Sequence, residues 1–189
     1  MASVRQFRYG ADNFGYVIHG QRQALVIDGG AVAEILRFTG ERGLRISLVG
    51  NTHSHADHTS GNAALLRETG AEYLAPDVPR EGHRISLGDE SVTVMRTPGH
   101  TKDSICFLAG IYLISGDTLF TGTIGNCFSG DQAAFHRTVK ALMALTPETV
   151  VYAGHDYVKD SIAFARKLEP GNRNLDSFAA TYDPRHVFS

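Results

Sequence analysis

Residues 51–62 read NTHSHADHTSGN, and three of the nine histidines in the chain fall inside that stretch. His53, His55, Asp57 and His58 follow one another at intervals that suit neither the period of a helix nor the alternation of a strand. The stretch therefore reads as a loop crowded with metal-ligating groups. Three further residues sit in a shared setting, a strand-like run followed by glycine. RTPGHT places His100, ISGDTLF places Asp117 and YAGHDY places His155. Glycine lets the backbone turn sharply there and lets side chains converge, and functional groups concentrate at such strand ends.

The seven candidate ligands are His53, His55, Asp57, His58, His100, Asp117 and His155. Five imidazoles and two carboxylates suit zinc, with iron or manganese as alternatives. One four-coordinate ion cannot use all of them, but two ions can if a carboxylate bridges them. In an extended turn His53 and His55 point the same way and pair on one ion. Asp57 and His58, one step further on, turn to a second. Two dications offset by two carboxylates keep a residual positive field, which lowers the pKa of a bound water to about 7. The expected chemistry is hydrolysis.

His19, His83, His136 and His186 have no such company and read as surface or hydrogen-bonded residues. Asp28, closing ALVIDGG, is expected to accept a hydrogen bond from a ligand imidazole or a loop amide, although an Asp-Gly turn would place it there as well. Cys106 in SICFLA reads as core. Cys127 falls in the loop on the substrate side, with no neighbouring motif to lower its pKa.

The elements that must hold these residues alternate along the chain. FRYG, FGYVIHG and QALVIDGG read as strands, and Ala31 to Gly43 as a helix with Ile35, Leu36 and Thr39 on one face. ISLVGNT is a buried strand, Asn62 to Glu68 a helix stopped at Gly70, and EYLAP a strand. RISLGDESVTVMRT and DSICFLAGIYLISGD hold four strands in hairpins. Asp131 caps a helix lined by Phe135, Val139 and Leu142. TVVYAGH is a strand and Val158 to Leu168 a final amphipathic helix. Residues 170–189 read as a turn-rich surface tail. This order fits an α/β, four-layer αββα sandwich of two mixed β-sheets flanked by helices.

Length and composition agree with one domain over residues 1–189, since single domains commonly reach about 200 residues. Hydrophobic residues make up 42% and charged residues 20%, so a sizeable core forms without staples. A formal net charge of −2 and the absence of a Lys/Arg cluster argue against nucleic acid as a partner. No apolar run is long enough for a membrane helix or a signal peptide, and a cytoplasmic location is expected.

HSHADH, read as H-x-H-x-D-H, followed in order by PGHT, SGDTLF and AGHDY, resembles the metallo-β-lactamase superfamily from about Asn13 to Asn172. The resemblance implies the αββα fold with a metal site at one edge of the sheets. It implies His53, His55 and His100 on the first ion, Asp57, His58 and His155 on the second, and Asp117 as bridge. GDTLF and YAGHDYVKDSIAFARKLEPGN are most similar to glyoxalase II, the hydroxyacylglutathione hydrolases. That likeness implies hydrolysis of a thioester such as an S-acyl-glutathione, with Asp57 and Asp117 serving a metal-bound hydroxide and Tyr157 touching the substrate. Asn126 and Phe128 stand where that family usually carries a basic residue and a tyrosine. Lys102, Arg173 and Arg185 are the cations available to compensate, and the family's C-terminal helical domain is expected to be missing. HADH and HDY are also similar to persulfide dioxygenases, which implies mononuclear iron on His53, His100 and Asp117 as the alternative. Another ester, lactone or lactam would be a further substrate for the same hydrolytic centre.

Overall fold

A computed structural model describes residues 2–184. Arg185 and His186 lie outside the described residues. The first half holds strands β1 (Ser3–Tyr9), β2 (Asn13–His19) and β3 (Gln23–Ile27), helix α1 (Val32–Glu41), β4 (Arg45–Gly50), the one-turn helix α2 (Ala56–Thr59), α3 (Asn62–Thr69) and β5 (Glu72–Leu74). The second half holds β6 (Arg84–Leu87), β7 (Glu90–Arg96), β8 (Ile105–Ala109), β9 (Tyr112–Gly116), β10 (Leu119–Phe120), β11 (Thr123–Ile124), α4 (Gln132–Met143), β12 (Val150–Ala153), α5 (Val158–Leu168) and α6 (Arg173–Thr181).

Two five-stranded sheets result, ordered β1-β2-β3-β4-β5 and β12-β9-β8-β7-β6. Each is mixed: β3, β4 and β5 run parallel, as do β12 and β9, while the remaining neighbours are antiparallel. Strand alternation decides which residue faces which layer. Phe14, Tyr16 and Ile18 of β2 and Leu25 and Ile27 of β3 meet Ile105, Phe107 and Ala109 of β8 between the sheets. The intervening Val17, Ala24 and Val26 face outward onto Ile35 of α1 and Leu65 of α3. Cys106 points the other way from its strand neighbours, onto Leu142 of α4, as a core thiol. The layers are therefore helix, sheet, sheet, helix.

The expected helices form for the expected reasons. Gly70 takes φ 64 and ends α3, a left-handed cap that glycine adopts without a Cβ clash. Asp131 Oδ1 accepts from Ala134 N at 2.8 Å and caps α4. Three elements depart from expectation. The histidine stretch is not loop throughout: after the turn at His53 and His55, Asp57 and His58 lie on α2. The short β10–β11 hairpin follows Asp117. Of the expected tail, residues 173–181 form helix α6, capped by Asn172 and laid against the inter-sheet core through Phe178 and Ala179, and residues 185–189 lie outside the described residues. No helix among the described residues is long and apolar enough to cross a membrane.

Candidate metal centre

Every candidate ligand lies just beyond the C-terminal end of a strand at one edge of the sandwich. The His53–His58 segment follows β4, His100 follows β7, Asp117 follows β9 and His155 follows β12. Backbone bonds tie the edge together across both sheets: Ile105 N donates to Thr52 O at 2.8 Å, and Phe14 N donates to Gly154 O at 2.8 Å. Glycine is required beside the ligands. A Cβ on Gly154 would collide with Asp117 Oδ1, and one on Gly116, which takes φ 52, would collide with Thr52.

Three overlapping donor groups result: His53, His55 and His100; His53, His58 and Asp117; and Asp57, His58 and His155, each with ligand atoms within 4.8 Å of one another. In the first, His55 Nδ1 faces His53 Nε2 at 2.9 Å and His100 Nε2 at 3.2 Å. In the last, His58 Nε2 faces His155 Nε2 at 3.2 Å. Asp117 stands between them, with Oδ2 3.6 Å from His100 Nε2 and 3.4 Å from His155 Nε2, and Oδ1 3.4 Å from His58 Nε2. Asp57 Oδ2 lies 3.4 Å from His155 Nε2, and its side chain is 48% exposed, at the mouth of the site.

Four of the five imidazoles have their opposite ring nitrogen engaged. His58 Nδ1 donates to Asp28 Oδ2 at 3.0 Å, His155 Nδ1 to Asp12 Oδ1 at 3.0 Å, and His100 Nδ1 to the Asn126 carbonyl at 3.1 Å. Thr52 Oγ1 donates to Asp28 Oδ2 at 2.7 Å, which leaves its oxygen to accept from His53 Nδ1 at 3.1 Å. Such partners fix the tautomer and the ring plane of a metal-ligating histidine. With Nδ1–H turned outward in these four, each Nε2 presents a lone pair inward, where His55 offers Nδ1 instead, so lone pairs face one another at about hydrogen-bond distance. Asp117 Oδ1, buried, has no hydrogen-bond donor. Only positive charge at the centre reconciles these atoms, and this donor set fits divalent metal.

The electrostatics point the same way. Burial, reinforced by His58, pushes His53 down to about 4, and burial likewise lowers His100. Burial acts against charge on His58 too, but Asp28 and Asp117 outweigh it and push this imidazole up to about 10. His155 is raised, against its burial, by Asp117 and Asp12. Burial would raise Asp117, yet the imidazoles of His155 and His58 hold it well below the usual carboxylate range. Asp57 is lowered despite its partial burial, chiefly by the amide of Asn13, which donates to its Oδ2 at 2.8 Å.

Asp28 lies behind His58, accepting also from Thr52 N at 2.9 Å and Asn51 Nδ2 at 3.3 Å. The three expected substrate-side residues flank the centre. The Tyr157 ring stacks on His155 with centroids 5.0 Å apart and planes 2° from parallel. Phe128 sets its ring against His100 at 5.2 Å and His55 at 6.1 Å, and is 67% exposed. Asn126 reaches the centre by its carbonyl. His19 bonds the Gly20 carbonyl through Nδ1 at 2.8 Å, and His83 and His136 are exposed. Sequence reasoning missed Asp12, Asn13 and Thr52. Thr52 was the one with a signal, adjoining the first ligand and able to accept and donate at once.

The pattern described as the Metallo-beta-lactamase superfamily matches residues 11–78 and 72–155. Hydroxyacylglutathione hydrolase from Maricaulis maris (strain MCS10) is 35% identical over 193 residues, covering 94% of this chain and 75% of that protein. Among solved structures, ETHE1 from Myxococcus xanthus superposes with a TM-score of 0.76 at 32% identity, over 82% of this chain and 76% of its own. TTHA1623 in a di-iron-bound form superposes with a TM-score of 0.70 at 25% identity, over 80% and 92% of the two chains.

Proposed function

The chain belongs to the metallo-β-lactamase superfamily, and from that premise we propose that it is a single-domain, two-metal hydrolase of thioesters, with zinc as the metal. The observation that carries the reading is the ring of donor atoms whose lone pairs converge while every outer imidazole nitrogen but that of His55 is held by a fixed partner. The named activity of the Maricaulis maris relative supports the thioester, and the di-iron form of TTHA1623 supports a dinuclear centre.

In this reading His53, His55 and His100 would hold one ion and Asp57, His58 and His155 the other, with Asp117 placed to serve both. When bound, the pair of dications supplies an ionised water as nucleophile and polarises the carbonyl under attack. The chain's own groups do the rest. Asp28, Asp12, Thr52 and the Asn126 carbonyl keep the rings turned inward, so no reorganisation is needed at the moment of reaction. Asp57, fixed by Asn13 and open to solvent, orients the incoming water and accepts its proton. Tyr157 and Phe128 form apolar flanks that exclude bulk water and strengthen the field at the centre. The chain would work in the cytoplasm, where its two free cysteines stay reduced.

Metal analysis of the purified protein, paired with S-D-lactoylglutathione hydrolysis, tests the reading. We expect two ions per chain and thiol release that needs no oxygen. Asp117→Ala should lose metal along with activity; full retention of two ions in that variant would remove the bridge. The likeness to ETHE1 favours a second reading, mononuclear iron on His53, His100 and Asp117. Oxygen uptake with glutathione persulfide, and no cleavage of any thioester, would install it in place of the first.

A further inference from the structure

Beside the metal centre opens a pocket of about 380 Å³, within the roughly 300–1,000 Å³ of ordinary small-molecule sites. Two of its lining residues also touch the centre. Tyr157, which stacks on His155, forms one wall, and Asn126, whose carbonyl holds His100, forms another. Phe120, packed on Tyr157 with centroids 5.0 Å apart, Ile124 and Phe164 complete an apolar lining. Ile124 is 48% and Phe164 58% exposed, large apolar side chains turned to solvent around one mouth. Such exposure marks a contact surface more than a structural need.

Two polar features narrow the occupant. Ser161 lines the pocket at 6% exposure, and its Oγ has no hydrogen-bond partner. That oxygen is closed off from the pocket, so this part of the wall offers an occupant no hydrogen bond. Asp160 is the only charged residue lining the pocket among the described residues. Its carboxylate disfavours another carboxylate nearby.

We propose that this pocket receives the thiol half of the substrate and selects an uncharged, largely apolar thiol. The inference rests on the thioester-hydrolase reading and names the substrate class for that site. Phe120 and Tyr157, the aromatic residues next to the centre in this lining, suit a sulfur atom, which makes favourable contacts with aromatic rings. In the reaction the water oxygen bonds to the acyl carbon and the C–S bond breaks with its electron pair on sulfur. One water proton ends on the sulfur, giving a carboxylic acid and a free thiol with no change in oxidation state.

The test uses the metal-loaded full chain and three S-D-lactoyl thioesters that differ only in the thiol: glutathione, N-acetylcysteamine and benzyl mercaptan. Burial of the apolar thiol should raise kcat/KM for the last two about tenfold or more over glutathione. Phe164→Ala, a change on an exposed helix face, should lower the benzyl thioester several-fold and the glutathione thioester far less. Phe164→Lys should narrow the gap further by drawing in the carboxylates of glutathione. Equal or better cleavage of the glutathione thioester by the unaltered chain overturns the inference and leaves the hydrolase reading standing. So does a uniform effect of both Phe164 variants on all three substrates. Failure to cleave any of the three, with metal bound, overturns both.

Discussion

Asp28 takes φ 51, the only positive φ at a non-glycine position among the described residues. A left-handed conformation costs an L-residue about 1–2 kcal/mol, and strain of this kind persists where the surroundings over-determine it. Here four donors do so: Thr52 N, Thr52 Oγ1, Asn51 Nδ2 and His58 Nδ1 all reach one fully buried carboxylate. Asp28→Asn keeps the backbone tolerance but turns an NH2 toward donors. A chelator competition assay should find metal affinity about 10–100-fold weaker, as for other partners of metal-bound histidines. Asp12→Asn should lose less, because the Asp12 side chain is 38% exposed and water can take its place. Asp28 was legible in the sequence from its position at a strand end. Asp12 was not, since a polar residue between Tyr9 and Asn13 reads equally well as part of the β1–β2 turn. Nor was Asn126, which acts through its carbonyl, a group every residue type shares.

At the scale of elements, the junction from β12 to α5 does two jobs. His155 faces the metal centre while the next residue, Asp156, is clamped from both ends of the chain. Arg8 Nη1 of β1 donates to Asp156 Oδ2 at 2.8 Å, and Tyr182 OH, just past α6, donates to the same oxygen at 2.6 Å. Asp156 N donates to the Asp12 carbonyl at 2.9 Å. Tyr182→Phe removes one clamp without removing the ring. We expect unfolding free energy to fall by about 1 kcal/mol, the net worth of one hydrogen bond, with a few-fold weaker hold on the ion beside His155. A denaturant titration and a metal titration read the two effects separately. Periodicity made α1, α4 and α5 legible, because each spans enough turns to show an apolar stripe. It failed for α6: Leu175, Phe178 and Ala179 do recur at helical spacing, but Pro170, Gly171 and Pro184 crowd a short segment with turn signals. For α2 and the β10–β11 hairpin, one turn and two residues per strand carry no period at all.

For the molecule as a whole, the sandwich was legible because alternation in β2, β3 and β8 sorts residues cleanly between two cores. Pairing between non-adjacent strands was not, since nothing local in VVYA says that β12 lies parallel to β9. The cores are apolar, whereas the edge is held by polar groups converging on the centre, so local stability should differ between them. Removing metal with a chelator should raise amide exchange at residues 51–60, 98–103 and 154–158 while β2, β3 and β8 stay protected. Uniform exchange across the sheets would mean that the edge and the core unfold as one unit. Neither cysteine forms a disulfide, so the chain has no covalent tie besides its backbone. Ions gripped by the segments after β4, β7, β9 and β12 would close the chain into nested rings, as a cross-link does. The entropy of such closure grows with the logarithm of ring length, and these rings span much of the sequence. The melting temperature should then climb with free metal concentration, and the hydrolytic centre would double as the clasp of the fold.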